Sequence, residues 1–284
     1  DTDRSRGLGD VYKRQCKDYV DIKKKELKEE VKHLDKKPVL AVIQIDDDKA
    51  SNSYIKGKQK DCDEIGIEMR HINIYSNAAE QQEVEGVIKD IANSDADGII
   101  IQLPIPDKYD LERLQNLIPP EKDVDGFRRD SCFKPCTPKG IIDWMEYNDF
   151  EFKGKDCCVL GRSKIVGLPL TSMLIEKGAT VTCCNSTTPS TWYYTRNADY
   201  AFSAVGIPNY FDFSDFQDFC ELVVDIGINR DENEKLCGDV NNAGFESSLN
   251  DTYVTPVPGG VGLLTRLALM QNVVDAYKVQ KMKG

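Results

Sequence analysis

Apolar positions along the chain switch between two periods. Pro38-Val-Leu-Ala-Val-Ile-Gln-Ile45, Ile67–Ile74 and Asp97-Gly-Ile-Ile-Ile-Gln-Leu103 are apolar runs of strand length. Lys155–Leu160, Ala179–Cys184, Asp199–Ser203 and Leu222–Ile226 repeat that signal in the second half. Between the runs the spacing becomes helical. Lys17–Leu34 carries Ile22, Leu27, Val31 and Leu34 on one stripe, and helices are predicted over Ala79–Ala92, Lys139–Tyr147 and Leu263–Tyr277. A short helix precedes Pro119, and another with Pro169 in its first turn ends at Gly178. Strands alternating with helices predict βαβ units, mostly parallel sheets and an α/β fold. A chain of 284 residues has room for two domains, each with a real core.

One predicted helix carries a charge where a core residue belongs. The acidic turn Asp46-Asp47-Asp48 leads into a helix from about Ala50 to Gly66, which suits a C′ position. Tyr54, Ile55, Lys58, Cys62 and Ile65 share one stripe, with Lys56, Gln59, Lys60, Asp63 and Glu64 opposite. A lysine amid such neighbours is desolvated, which favours its neutral form and acid/base use. Helix geometry alone favours a stem that packs while the amine reaches water. Parallel sheets place ligands at the carboxyl ends of their strands. Gln102-Leu103-Pro104 ends one strand and the lysine helix follows another, so both belong on one rim. Further on, Asp123 and Asp125 stand in the loop Pro119-Pro-Glu-Lys-Asp-Val-Asp-Gly126, a pattern that a solvated turn also satisfies. Pro135-Cys-Thr-Pro138 then marks a break.

The second half offers a phosphate turn. Gly161-Arg-Ser-Lys-Ile-Val-Gly167 lies between a strand and a helix, as dinucleotide-binding βαβ units require, although its glycines depart from GxGxxG. After the next strand comes Asn185-Ser-Thr-Thr188, without the carboxylate that binds a ribose 2′-hydroxyl in NAD sites. Arg162 and Ser186 are suited to a 2′-phosphate, so NADP is expected ahead of NAD. Thr255-Pro-Val-Pro-Gly-Gly-Val-Gly262 predicts a tight loop that lets a ligand approach backbone, or else a domain linker.

Composition narrows the classes. Lys plus Arg number 37 against 48 Asp plus Glu, a net charge of −11 that disfavours non-specific binding to nucleic acid or anionic membrane. The ten cysteines show neither CxxC nor a zinc spacing; adjacent pairs (Cys157-Cys158, Cys183-Cys184) fall inside strands. Buried, reduced thiols and a cytoplasmic setting are expected. No apolar run is long enough to span a membrane. Residues 1–15 are charged and aperiodic and are expected to be a disordered leader or scar outside the fold.

Taken together, Ala50–Lys60, Gln102–Pro106, Lys122–Phe127, Pro135–Gly140, Gly161–Pro169 and Thr255–Gly262 resemble the methylenetetrahydrofolate dehydrogenase/methenyltetrahydrofolate cyclohydrolase family, in its order, over residues 38–280. The resemblance implies an N-terminal α/β folate-binding catalytic domain (16–139 plus 264–284) and a Rossmann-like NADP-binding domain (140–263), with a cleft between them. The last helix would return to the first domain. Lys58 matches the catalytic lysine, Tyr54 the aromatic over the folate, Gln102 the lysine's partner and Asp125 the carboxylate that holds the pterin. Leu103, Pro258, Gly259 and Gly260 would line the substrate. Gly161, Arg162, Ser163, Ser186, Thr187, Gly206, Ile228 and Gly262 would meet the cofactor, and no metal is expected. The implied chemistry is oxidation of 5,10-methylenetetrahydrofolate with NADP⁺, then hydrolysis to 10-formyltetrahydrofolate, in a cytoplasmic homodimer whose partners are folate substrates alone.

Three departures accompany the match. Asp125 to Pro135 is a shorter connection than the family's, Asn185 replaces a histidine beside the 2′-phosphate, and Leu263-Leu264 replaces Pro-Met. The short connection leaves a dehydrogenase with weak ring opening as an alternative, and a binding protein without activity as another. A generic Rossmann oxidoreductase explains residues 155–230 but not the lysine helix. No GxxxxGK[ST] loop supports a fused ATP-dependent ligase.

Overall fold

The computed structural model describes residues 8–75, 79–216, 220–241 and 252–283. Contacts divide the chain into two compact units: Ile22–Cys136 with the chain from Arg266 onward, and Thr137–Thr265 with the chain up to Asp21.

In the first unit, β1 (Val39–Ile45), β2 (Glu68–Ile74) and β3 (Gly98–Gln102) form a parallel sheet of order β2-β1-β3. Every residue of β1 is buried, as expected for a central strand covered on both faces. Leu40 and Val42 join Ile55, Cys62 and Ile65 of α2 (Lys49–Ile65) and Met270, Val273 and Val274 of α8 (Val261–Lys283) in one cluster. Ala41, Ile43 and Ile45 join Val84 and Ile88 of α3 (Gln81–Ala92) in another. Each large side chain so buried contributes about 1.5–3 kcal/mol. At the start of α2, the Asp48 carboxylate accepts from Ser51 N–H (2.7 Å). Gly66, at φ +103°, ends the helix with its N–H on Cys62 O. Both ends are thereby satisfied.

In the second unit, β4 (Asp156–Leu160), β5 (Thr180–Cys184), β6 (Tyr200–Ser203), β7 (Leu222–Asp225) and β10 (Tyr253–Val254) are all parallel, in the order β10-β7-β6-β4-β5. Helix α6 (Gly167–Glu176) crosses from β4 to β5 and α7 (Thr191–Arg196) from β5 to β6. A short antiparallel pair, β8 (Asn229–Arg230) with β9 (Leu236–Cys237), follows β7.

Several expectations change. Helix α1 (Leu8–Lys32) starts inside the stretch expected as a disordered leader. Neither glycine nor proline interrupts residues 10–32, so nothing stops the helix there; residues 1–7 lie outside the described residues. Helix α4 (Leu111–Gln115) is the short helix expected before Pro119, α5 (Cys136–Tyr147) begins three residues before Lys139, and α8 continues beyond Tyr277 to Lys283. Helix α7 and strands β8, β9 and β10 are too short for periodicity to reveal. All ten cysteines are free, but Cys132 is exposed and Cys183 and Cys237 are half-buried, so not every thiol is a core residue. No helix among the described residues is long and apolar enough to cross a membrane.

Candidate active site

On α2, Ile55, Cys62 and Ile65 are buried and Lys58 is half-buried between them. Tyr54, expected within the apolar stripe, sits at its edge and is 38% exposed. From this stripe Lys58 Nζ donates to Gln102 Oε1 over 2.9 Å, while Gln102 Nε2 donates to Leu103 O over 2.7 Å. The second bond orients the amide, so its oxygen faces the lysine. Burial strips solvent from the Lys58 amine and pulls it below the ordinary lysine range; the Asp125 charge and the Cys136 and Cys62 thiols oppose this, and Arg266 adds to it. Desolvation outweighs the attractive charges.

The flank of α2 next to the apolar stripe is not simply solvated. Asp61, 1% exposed, lies 2.6 Å from Lys24 Nζ of α1 and 2.9 Å from Arg266 Nε of α8. A Cβ at Gly57 would overlap the Arg266 guanidinium, so α2 can be approached this closely only where it lacks a side chain. These pairings tie the lysine helix to α1 and α8. Sequence periodicity misses them because a buried aspartate looks like any other residue of a polar face.

Asp125 reaches the same rim by an added edge. Residues 122–124 run beside β3, with Ile99 N–H on Lys122 O at 2.8 Å. The two loop carboxylates then part company. Asp123 is buried and accepts from Arg128 N–H (2.9 Å), so it serves the loop. Asp125 is half-buried, and desolvation pushes its carboxyl up to about 6 against the pull of the Lys58 charge, with Asp123 adding to the rise. The short connection to Pro135 is well anchored. Gly126 takes φ +71° against the Lys134–Pro135 backbone, and Asn272 Nδ2 of α8 donates to Val124 O (2.9 Å) and Lys134 O (3.2 Å).

In the second unit, a pocket of about 630 Å³ opens at the carboxyl ends of β4, β5 and β6. Gly161 ends β4 at φ +109°, where a Cβ would strike Ala204 O; one at Gly167 would strike Gly161 O. Two glycines six apart therefore close this turn, which explains the departure from GxGxxG. Arg162 is exposed on the turn, and Ser163 Oγ accepts from Val166 N–H (3.2 Å) and Gly167 N–H (3.4 Å).

Gly161, Arg162, Ser163 and Ser186 line this pocket together. Thr187 is turned away: its N–H and hydroxyl both go to Asn185 Oδ1 (2.9 and 2.6 Å), and Thr188 lines the wall instead. Gly206, Ile228 and Gly262 are not on the pocket wall, although Val205 and Ile207, which flank Gly206, are. Gly262 faces Ile228, and Pro258–Gly260 forms a turn with Gly259 at φ +105°. Exposed Trp192 and Tyr210 also line the pocket; the aromatic run Trp192-Tyr-Tyr194 after the strand was the available signal.

Below this rim Asp225 is fully buried, and burial pushes its carboxyl up to about 7 although backbone N–H groups pull it down. Its unfolded value is about 3.9. Between those limits the fold keeps a proton that the unfolded chain has released. The stability owed to Asp225 is therefore complete below about pH 4 and is lost as pH rises through 7. Asp225→Asn cannot ionise, so from about pH 5.5 to 7.5 it is expected to lose less stability than wild type in urea unfolding. Identical pH slopes would remove this assignment.

Comparison with known proteins places these features in a family. Residues 15–125 match the tetrahydrofolate dehydrogenase/cyclohydrolase catalytic domain, and residues 135–281 match the NAD(P)-binding domain of the same proteins. The chain is 40% identical over 268 residues to the bifunctional protein FolD of Agathobacter rectalis, covering 90% of this chain and 95% of that one. It superposes on the bifunctional enzyme FolD, methylenetetrahydrofolate dehydrogenase/cyclohydrolase, of Campylobacter jejuni with a TM-score of 0.88 at 36% identity, over 94% of this chain and 98% of that one. For the Trypanosoma brucei N5,N10-methylenetetrahydrofolate dehydrogenase-cyclohydrolase, solved with NADP cofactor and inhibitor, the TM-score is 0.86 at 28% identity, over 93% and 96%. With both domain models matched in order and such similarity along nine-tenths of its length, the chain belongs to the tetrahydrofolate dehydrogenase/cyclohydrolase family.

Proposed function

We propose that this chain oxidises 5,10-methylenetetrahydrofolate to the 5,10-methenyl form with NADP⁺, and hydrolyses that product to 10-formyltetrahydrofolate. The observation that carries the reading is the desolvated Lys58 amine bonded to Gln102 Oε1 at a strand-end rim. The pocket at the glycine turn suits NADP: Arg162 is exposed on it, Ser186 faces it, and the end of β5 presents Asn185 with no carboxylate to repel a 2′-phosphate. When bound, NADP⁺ supplies the nicotinamide that accepts a hydride from the one-carbon bridge. In that step the protein's residues only orient the folate: the Asp125 carboxylate accepts from the pterin N–H edge and the Tyr54 ring offers a stacking face. Leu103, next to Gln102, would line the substrate.

Ring opening asks more of the side chains. As water forms a C–O bond to the amidinium carbon, neutral Lys58 takes a proton at Nζ, and it returns one to N5 as the C–N5 bond breaks. The hydroxyl proton of the adduct leaves to solvent, giving the formyl group and a net release of one proton. Gln102, fixed by Leu103 O, keeps the amine aimed. A homodimer in the cytoplasm goes with this reading; sedimentation of purified protein tests the dimer. The reaction itself is tested by following NADPH formation from methylenetetrahydrofolate and the decay of methenyltetrahydrofolate absorbance separately. Both readouts should show turnover. Absence of both sinks the reading, and absence of the second alone reduces it to a dehydrogenase.

A further inference from the structure

Two aspartates outside the steps above meet beneath the dinucleotide pocket. Asp239 is fully buried, and its carboxylate collects five donors. Oδ2 accepts from Ser203 Oγ (3.0 Å) and Val205 N–H (2.8 Å). Oδ1 accepts from Gly206 N–H (3.0 Å), Ile207 N–H (3.1 Å) and Asn229 Nδ2 (2.9 Å). All five partners donate, so the group is held as an acceptor-only carboxylate. Asp225, at the end of β7, accepts from Asp239 N–H (2.9 Å), Val240 N–H (3.1 Å) and Gly227 N–H (3.2 Å). One carboxylate thus seats the backbone that carries the other.

The surroundings are cut to fit this pair. A Cβ at Gly227 would overlap the Asp239 carboxylate, and one at Gly238 would overlap that of Asp225. Neither glycine has a positive φ, so space, not backbone conformation, calls for glycine at both positions. A metal between the carboxylates does not account for the arrangement. Each oxygen already faces N–H or O–H donors, and no cation-holding group of three or more His, Cys, Asp or Glu occurs among the described residues.

What Asp239 grips is the pocket rim. Val205 and Ile207 line the pocket, Gly206 turns between them at φ +71°, and Asn229 opens β8, directly after the turn that follows β7. We propose that Asp239, seated on Asp225, is a positioning residue for the dinucleotide: it holds the turns after β6 and β7 in the shape that receives the cofactor. The proposal rests on the NADP reading of this pocket. Three consecutive N–H groups pointing inward to one carboxylate leave the other face of that backbone to the ligand. Building the constraint from a charged acceptor makes it stiffer than a neutral turn, because charge-assisted bonds are about twice as strong.

The test is Asp239→Asn, which keeps the shape but turns an NH₂ toward the N–H groups of Val205 or of Gly206 and Ile207, which can only donate. Titration of the purified full chain with NADP⁺ should show Kd raised about tenfold or more. The dehydrogenase KM for NADP⁺ should rise with it, while the KM for methylenetetrahydrofolate stays within about twofold. A purely structural role would move neither constant selectively. Should Asp239→Asn fail to fold, Asn229→Ala removes a single donor from the same carboxylate and should raise the NADP⁺ Kd about threefold or more. Folded variants that bind NADP⁺ as wild type does overturn the proposal alone. Wild-type protein that binds neither NADP⁺ nor NAD⁺ overturns the reading of the pocket, and the proposal with it.

Discussion

Lys58→Met is expected to lower ring opening of methenyltetrahydrofolate by about 10²- to 10⁴-fold, the range over which a positioned acid/base group contributes. Methionine keeps an unbranched stem in the stripe of Ile55, Cys62 and Ile65, so α2 should stay folded. Only the group proposed to carry the proton is lost. Gln102 Oε1, on a side chain that is itself buried, would then have no amine to accept from, at a cost of about 1–3 kcal/mol in stability. NADP⁺ affinity, assigned in the proposed function to the turn at Gly161, should remain within about twofold. Undiminished absorbance decay in a folded Lys58→Met protein would show that another group carries the proton.

Arg162→Ala should weaken NADP⁺ binding by about tenfold or more and leave NAD⁺ nearly untouched. A hydrogen bond to a charged group is worth about 1.5–3 kcal/mol, and each 1.4 kcal/mol is about a factor of ten. Arg162 is exposed, so part of that energy is screened, and the preference for NADP⁺ over NAD⁺ should narrow as salt is raised. Parallel titrations of both dinucleotides at low and high ionic strength supply the check. Equal losses for the two would mean that Arg162 does not touch the 2′-phosphate, and Ser186 would be left as the polar neighbour of that group on the pocket wall.

The parts of the molecule with long periods were legible in its residues. The buried run Val39–Ile45, the capped helix ending at Gly66 and the meeting of Lys58 with Gln102 all follow from apolar spacing and from the rule that ligands gather at strand ends. The glycine turn was legible as a place, though its six-residue spacing only becomes intelligible once Gly167 is seen against Gly161 O. What escaped were charges whose partners lie far along the chain. Asp61 meets Lys24 and Arg266, and Asp239 meets residues 203–207; pattern along one element carries no trace of such encounters. Tyr54 escaped for a subtler reason. A residue at the border of an apolar stripe is assigned to the interior by angle alone, whereas its accessibility depends on what stands opposite.

Helix α8 supplies Ala268, Leu269, Met270, Val273 and Val274 to the core around β1, and Asn272 to the backbone of the loop that carries Asp125. All these residues are made after the entire five-stranded sheet has been translated. During vectorial synthesis the sheet on which the lysine helix packs therefore waits, with one face covered by α2 but not yet by α8, through the translation of well over a hundred residues. The unit that forms the dinucleotide pocket has all its strands in hand before that wait ends. A nascent chain stalled short of residue 266 would carry a five-stranded sheet complete in its strands and a three-stranded sheet lacking α8, the kind of exposed apolar surface that chaperones recognise.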